Sequence, residues 1–348
     1  MSIKQDEIII LLGAGASADA GIPVTSKMVQ DVEEFIDSNN KCKDWSQFKD
    51  LYYLVKSSVE FSYGIQGKHV NFNIETLLNI LNELEKKEMH PLYPFIGSWS
   101  VRFNEIIKDN FNLIIDFKNK IIQQLKTWIQ PDNLKLSEYY NKLSEFQKQI
   151  QFPLKIFTLN YDLLIEKNLS DITIERGFDD NKKWNYKLFS ERPEEPEIYL
   201  YKLHGSLDWE RDTITQIVKC VDNIPDIPDL IFGTQYKMQY IDPYLFLFSE
   251  FRHYALKAKL IICIGYSFSD EHINAILSQA LKNNEGTKIY SVNKDDENTQ
   301  MKNIKLMLSC KESQIIIMSK TAKDFFENEL KLESFNNLVE SSYEDNIF

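Results

Sequence analysis

Hydrophobic residues form short runs at several points along the chain, and these runs predict strands that are buried on both faces. The first run, Ile8 to Leu12, has five apolar residues without alternation and is rich in β-branched isoleucine. Its length is typical of a strand and too short for a helix. Further runs, one of them alternating, predict strands over residues 154–159, 198–203, 259–264, 288–292 and 313–318.

Between the first two predicted strands, apolar residues recur at helical spacing. Phe48, Leu51, Tyr52 and Val55, for example, would share one face of a helix. This spacing predicts helices over residues 29–37, 45–61, 99–129 and 136–149, and a helix that begins at Asn73. Later helices are predicted over residues 163–169, 244–257, 272–282 and 322–332.

The order of these elements predicts an α/β fold. It would be a Rossmann-like parallel sheet with helices on both faces and a large helical insertion after the first strand. The Rossmann-like domain is expected to consist of residues 1–28 and 150–335. Residues 29–149 would form the helical insertion or subdomain, and residues 336–348 an acidic C-terminal tail.

A glycine-rich turn, Gly13 to Ser17, follows the first predicted strand and leads into a helix-compatible segment. This order is typical of nucleotide-binding folds, and Ala18 stands at the third small position of the pattern. Gly13 and Gly15 would let a diphosphate approach the amides at the helix N-terminus. The same glycines would equally suit a tight structural turn.

Polar side chains follow the later strands, at the edge where open parallel sheets bind ligands. Asn160 and Asp162 follow the second strand and His204 the third, while Ser267 and Asn293 follow the next two. With the glycine turns, they predict a dinucleotide site that has a histidine as general base. The sequence has no serine or cysteine nucleophile pattern and no dense cluster of carboxylates and histidines, so no metal is expected.

Each of these polar residues also has a structural interpretation. His204 would fit as an ordinary buried histidine at a strand end. Asn160 and Asp162 would fit as a capping pair for the helix predicted from residue 163, and Asp270 as the cap of a later helix. Ser17 would fit as a residue of the first helical turn that contacts no ligand.

The composition adds an acidic balance to this picture. The 348 residues carry a formal net charge of -12, and the sequence pI is about 5.1, which disfavours direct binding to nucleic acid or to an anionic membrane. The four cysteines lie far apart without a Cys-x-x-Cys pair, as expected for reduced thiols in a cytosol. Neither a signal peptide nor a membrane-spanning run is predicted, so a cytoplasmic location is expected.

The motifs, taken in order, resemble those of the sirtuin family, and specifically of the sirtuin-like proteins of bacterial anti-phage defence. The turn at residues 13–17, followed by Gly-Ile-Pro at residues 21–23, resembles the family's opening phosphate turn. Residues 158–162, Thr-Leu-Asn-Tyr-Asp, resemble its Thr-Gln-Asn-Ile-Asp stretch, and Leu203-His204-Gly205 its catalytic His-Gly. Gly265-Tyr266-Ser267 resembles its Gly-Thr-Ser turn, and Asn293 its strand-end asparagine.

This resemblance implies that the chain takes NAD as its substrate and acts as an NAD glycohydrolase, which releases nicotinamide and ADP-ribose. Asn160 and His204 would be the catalytic residues: Asn160 would position the ribose or the attacking water, and His204 would act as the base. Asp162 would bind the carboxamide of nicotinamide. The other residues expected to hold the dinucleotide are Gly13, Ala14, Gly15, Ser17, Gly265, Ser267 and Asn293.

The sequence also departs from the protein-deacylating sirtuins. Val24-Thr25-Ser26 replaces their Asp-Phe-Arg, and their four-cysteine zinc ribbon is absent from the sequence. These departures count against acyl-lysine chemistry. The alternatives to a glycohydrolase are an NAD-dependent deacylase and a non-catalytic NAD or ADP-ribose sensor or assembly subunit. The resemblance further implies an NAD-depleting defence effector. It would form a homo-oligomer and would assemble with a partner protein such as a HerA-like ATPase or a short Argonaute. Contact with nucleic acid would be left to that partner.

Overall fold

A computed structural model describes residues 3–38, 43–65, 72–87, 101–108, 110–191, 194–232 and 241–344. The chain divides into two compact units. The first, called the sheet unit below, combines Met1–Ile22 with Gln130–Phe348, and the second, the helical unit, is Pro23–Ile129. Residues 130–149 thus group with the sheet by their contacts, although the sequence suggested that they belong to the insertion.

The sheet unit contains a parallel sheet and a separate antiparallel pair. The strands are β1 Ile8–Leu12, β2 Leu154–Thr158, β3 Ile174–Glu175, β4 Ile198–Lys202, β5 Trp209–Arg211, β6 Val218–Cys220, β7 Leu260–Ile264, β8 Lys288–Asn293 and β9 Ile315–Ser319. Seven strands form the parallel sheet, in the order β3-β4-β2-β1-β7-β8-β9, and β5 pairs with β6. Every predicted strand is present, and the Rossmann-like parallel sheet is confirmed.

Strand β1 lies at the centre of the sheet. It pairs with β2 on one side and with β7 on the other, so that Ile10 lies opposite both Ile156 and Ile262. All five of its residues are buried. A strand that is covered on both faces has no exposed side, which explains why its sequence shows no alternation.

Helices make up the second unit in the part that the structure describes. They are α1 Thr25–Asp37, α2 Lys43–Ser46, α3 Lys49–Ile65, α4 Ile74–Lys87, α5 Val101–Ile107 and α6 Asn112–Trp128. The rings of Phe48 and Phe117 stack with their centroids 4.7 Å apart, so the predicted apolar stripes face one another in a core. The segment predicted as one helix over residues 99–129 is two helices, because Lys108 has a φ of +47°, which a right-handed helix cannot contain. Residues 99, 100 and 109 lie outside the described ranges.

The sheet unit has seven α-helices in its described residues. They are α7 Lys142–Ile150, α8 Leu164–Asn168, α9 Tyr244–Lys257, α10 Glu271–Asn283, α11 Glu297–Leu308, α12 Ala322–Asn328 and α13 Leu332–Glu344. Short 3-10 helices span Ala14–Ala20, Leu134–Asn141, Tyr186–Phe189 and Glu312–Gln314. Helix α13 includes most of the segment expected to be an acidic tail, and Phe335 and Val339 on it are buried. No helix among the described residues is long and apolar enough to cross a membrane.

Candidate active site at the carboxyl edge of the sheet

The parallel sheet has a topological switch point between β1 and β7, where the order in which the strands are added changes to the other side. After β1 the chain continues to β2 and β4 on one side, whereas after β7 it continues to β8 and β9 on the other. Open α/β sheets bind ligands at such a switch point, outside the carboxyl ends of the strands. The turn at residues 13–17 follows β1 and the turn at residues 265–270 follows β7, so the two turns meet at this position.

The two glycine turns pack directly against each other. The N–H of Gly15 donates to the carbonyl oxygen of Gly265 at 2.9 Å, and the N–H of Gly13 donates to that of Ile264 at 3.0 Å. A Cβ atom added to Gly15 would lie 2.8 Å from Cα of Gly265, and one added to Gly265 would lie 2.1 Å from the nitrogen of Ala16. The missing side chains therefore let the two backbones touch, and the amides of Gly13 and Gly15 already have partners in the protein.

A hydrogen-bond network joins the first turn to the end of β2. The side-chain N–H groups of Asn160 donate to the carbonyl oxygen of Gly13 at 3.0 Å and to Oγ of Ser17 at 3.1 Å. Oγ of Ser17 donates in turn to Oδ2 of Asp162 at 2.8 Å and lies 3.0 Å from the hydroxyl of Tyr140. The structure thus brings Gly13, Ser17, Asn160 and Asp162 together, as the sequence predicted for residues at adjacent strand ends.

The carboxyl group of Asp162 is buried, and this burial raises its pKa above the ordinary value. Nearby Lys202 opposes the rise, as do hydrogen bonds from the backbone of Leu164 and from Ser17. The N–H of Leu164, the first residue of α8, donates to Oδ1 of Asp162 at 3.1 Å. This contact supports the structural interpretation of Asp162 as a capping residue. The raised pKa means that protonation of Asp162 costs less than that of an exposed aspartate.

His204 lies just after β4 and is 2 % exposed. Its Nε2 atom is 3.3 Å from Oδ2 of Asp270, which is also buried. Gly205 next to it has a φ of +91°, and a Cβ there would lie 2.2 Å from the carbonyl oxygen of Asp229. The glycine of the His-Gly motif is thus required by the backbone turn that carries His204.

The sequence had indicated only a capping role for Asp270. The structure shows that role, since Asp270 caps α10, but it also shows the pairing with His204. Two residues so far apart in the chain give no joint signal in a single sequence. The one available hint was that both follow strands at the same edge of the sheet.

Buried charges lie next to the His-Gly turn. Arg176 donates to both carboxylate oxygens of Asp208, at 2.8 and 2.9 Å, and Oγ of Ser206 donates to Asp208 as well. Burial acts to raise the pKa of Asp208, but Arg176 overcomes this effect and holds that pKa well below its ordinary value. Glu166 contacts both Arg176 and Lys202, so charges of both signs compensate one another.

Two other predicted residues lie at the same edge with local contacts. Oγ of Ser267 is exposed and lies 2.9 Å from Oγ of Ser269. Oδ1 of Asn293, at the end of β8, accepts from the N–H of Lys294 at 2.8 Å. Ala14, within the first turn, is the first residue of the 3-10 helix Ala14–Ala20. In the described ranges, no group of three or more histidine, cysteine or carboxylate side chains is placed to hold a metal ion.

Comparison with known proteins matches residues 154–315 to a family model described as the SIR2-like domain. A comparison with curated proteins found no match. Among solved structures, a Sir2 homologue in complex with NAD is 15 % identical, with a TM-score of 0.43 over 97 % of this chain and 90 % of that chain. A mutant Sir2 homologue in complex with 2′-O-acetyl ADP-ribose is 14 % identical, with a TM-score of 0.43 over 98 % and 93 %. Sir2Tm bound to a propionylated peptide is 13 % identical, with a TM-score of 0.40 over 92 % and 90 %.

The matched segment begins with β2 and includes Asn160, Asp162, His204 and both turns after β7 and β8. The glycine turn after β1 lies outside it but is hydrogen-bonded to Asn160 and Asp162 within it. The resemblance stated from the sequence is thus confirmed for the domain, and the chain carries a sirtuin-like domain.

Proposed function

We propose that this protein is an NAD glycohydrolase that converts NAD and water to nicotinamide and ADP-ribose. The observation that supports the proposal best is the arrangement at the switch point of a sirtuin-like domain. There, the network of Ser17, Asn160 and Asp162 and the buried pair of His204 and Asp270 occupy the carboxyl ends of adjacent strands.

The reaction breaks the bond between the ribose C1′ atom and the nicotinamide nitrogen, and the bonding electrons leave with nicotinamide. Positive charge develops on the ribose, and water then adds to C1′ and loses a proton. His204 would take that proton, directly or through a ribose hydroxyl, since a neutral imidazole is available near pH 7. Asn160 would orient the ribose or the water, and Asp162 would bind the carboxamide of nicotinamide.

The test is incubation of the purified protein with NAD, followed by chromatography of the products. We expect nicotinamide and ADP-ribose from the wild type, and a loss of about 10²–10⁴-fold in rate for His204→Ala, the typical contribution of a general base. His253→Ala is the matched control, because His253 is an exposed histidine on α9. Full turnover by a folded His204→Ala protein would overturn the assignment.

Asn160 needs a different control, because its side chain also holds the glycine turn. Asn160→Ala removes two hydrogen bonds, and Asn168→Ala likewise removes two, to Oγ of Ser137 and the carbonyl oxygen of Leu164. Each change should lower stability by a similar amount, about 1–3 kcal/mol. We expect only Asn160→Ala to abolish cleavage at a temperature where both proteins are folded, and equal activities would contradict its catalytic role.

The same assay separates the alternative functions. An NAD-dependent deacylase would release acetyl-ADP-ribose only when an acetylated lysine peptide is added. A non-catalytic sensor or assembly subunit would bind NAD or ADP-ribose in calorimetry and return the NAD intact. Both outcomes would replace the glycohydrolase proposal.

We further propose that the protein is the NAD-depleting effector of a bacterial anti-phage defence system. An enzyme that consumes NAD without control would kill its host, so its activity would depend on assembly into an oligomer or on a partner. The resemblance points to a HerA-like ATPase or a short Argonaute as that partner. Light scattering combined with the NAD assay tests this, and full cleavage by an isolated monomer would contradict it.

A further inference from the structure

Asp270 has its two carboxylate oxygens in different settings. Oδ1 accepts from the backbone N–H of His272 at 3.0 Å and of Ile273 at 3.4 Å, which caps helix α10. Oδ2 lies 3.3 Å from Nε2 of His204, a residue that comes from the end of another strand. One oxygen is sufficient for the cap, so the cap does not explain the position of the second.

The burial of this pair is also more than a helix cap requires. Asp270 is 4 % exposed and His204 is 2 % exposed. By comparison, Asp296 caps α11 through the N–H of Thr299 and remains exposed to solvent. Burial of a carboxylate costs free energy unless polar or charged partners compensate. The imidazole of His204 is such a partner for Asp270.

The loop that carries Asp270 is held in a strained conformation. Phe268 is buried and has a φ of +56°, in the left-handed region that bulky residues avoid. The side chain of Asn274 donates to the carbonyl oxygen of Phe268 at 2.7 Å and accepts from the hydroxyl of Tyr266 at 2.8 Å. Specific buried bonds thus maintain the strain, which is typical of backbone segments that orient a functional group.

We propose that Asp270 is a positioning residue for His204, an inference that rests on the proposed role of His204 as the base. The negative charge of the carboxylate, 3.3 Å from Nε2, favours a proton on Nε2 and so holds the imidazole in one tautomer, in which the lone pair is on Nδ1. Nδ1 takes the proton that is lost as water adds to the ribose, and Asp270 stabilises the resulting imidazolium without becoming protonated itself. The proton passes to solvent after ADP-ribose leaves.

Asp270→Asn separates positioning from capping. Asparagine caps helices about as well as aspartate, so its Oδ1 atom can keep the bonds to His272 and Ile273. Its NH₂ group then faces Nε2 of His204 and donates to it, which moves the ring proton to Nδ1 and removes the base. We expect kcat for NAD cleavage to fall at least about tenfold with KM within about twofold. Asp296→Asn, the same change at an exposed cap, should leave both constants unchanged.

A second readout does not depend on activity. Long-range ¹H–¹⁵N NMR of the histidine rings reports which ring nitrogen carries the proton. The signal of His204 is assigned as the one that is missing from the spectrum of His204→Asn. We expect the Nε2–H form in the wild type and the Nδ1–H form in Asp270→Asn, with a melting temperature close to that of Asp296→Asn.

Three outcomes would overturn the proposal: an unchanged kcat, an unchanged tautomer, or a loss of activity that only follows a loss of folding. If the wild type does not cleave NAD, the proposed function fails, but the tautomer still decides whether Asp270 positions His204.

Discussion

The contact between the two glycine turns predicts that Gly265→Ala destabilises the protein more than Gly21→Ala does. Both glycines have a positive φ, +63° for Gly265 and +89° for Gly21. An alanine at either position would therefore destabilise the folded backbone by a similar amount, about 1–2 kcal/mol. The space around them differs. A Cβ at Gly21 meets nothing within 4 Å, whereas a Cβ at Gly265 lies 2.1 Å from the nitrogen of Ala16 and 2.3 Å from the carbonyl carbon of Gly15.

The obstructing atoms at Gly265 belong to the backbone, so no side chain can rotate away. The turns would have to separate, and overpacking of this kind costs about 1–3 kcal/mol beyond the backbone term. For a domain of this size, about 1 kcal/mol lowers the melting temperature by roughly 2–4 °C. Gly265→Ala should therefore melt about 2–12 °C below Gly21→Ala.

Differential scanning calorimetry on the two variants and the wild type measures this difference directly. Gly21→Ala provides the correction for backbone strain, since it changes the same residue type in the same unit of the chain. Equal melting temperatures for the two variants would refute the conclusion that close packing of the turns requires Gly265. A separated pair of turns should also weaken NAD binding, which calorimetric titration of the folded variant would detect.

Three further predictions concern the charges around the site. Arg176→Met leaves Asp208 buried without its bidentate partner and should lower the free energy of unfolding, measured in urea titrations, by about 3–5 kcal/mol. Lys142→Met removes one partner of an exposed pair and should change that free energy by less than about 1 kcal/mol. Equal effects of the two substitutions would show that the buried pair is not needed. Burial raises the pKa of the Asp162 carboxyl group in the folded protein. Below an ordinary aspartate pKa of about 4, this group is protonated in both the folded and the unfolded state. The stability that it contributes there is lost as the pH rises through the folded pKa. Asp162→Asn should flatten that part of the stability curve, and an unchanged slope would contradict the shift. Chelators should leave NAD cleavage unchanged, and a loss of activity that zinc restores would reveal a metal site.

The sequence was most informative where a single physical requirement decides the residue type. Strands such as β1 and β7 are buried on both faces, so their unbroken apolar runs could be recognised without any knowledge of their neighbours. The hairpin of β5 and β6 was missed because each strand has three residues, too few to show a period. The break after α5 was missed because no proline or glycine marks it, and the unusual φ belongs to a lysine, Lys108.

The candidate site was predictable as a set of strand ends but not as a set of contacts. The grouping of Ser17, Asn160 and Asp162 follows from the topology of parallel strands. Glycine has two functions that look identical in a sequence, access for a ligand and close packing of backbones. At Gly15 the structure shows the packing, while its effect on NAD binding stays a prediction.

The central position of β1 has a consequence for synthesis of the chain. Ile10 is made before its partners in the sheet, Ile156 and Ile262, which follow the helical unit in the sequence. At elongation rates of about 5–20 residues per second, roughly 10–50 s pass before β7 has been translated. The five consecutive apolar residues of β1 present two open strand edges to any other nascent chain until β2 has been made, and one open edge until β7 has been made. The central strand of the sheet is therefore the one with the longest delay between its own synthesis and that of its last partner strand. The rate of translation sets how long its strand edge stays exposed.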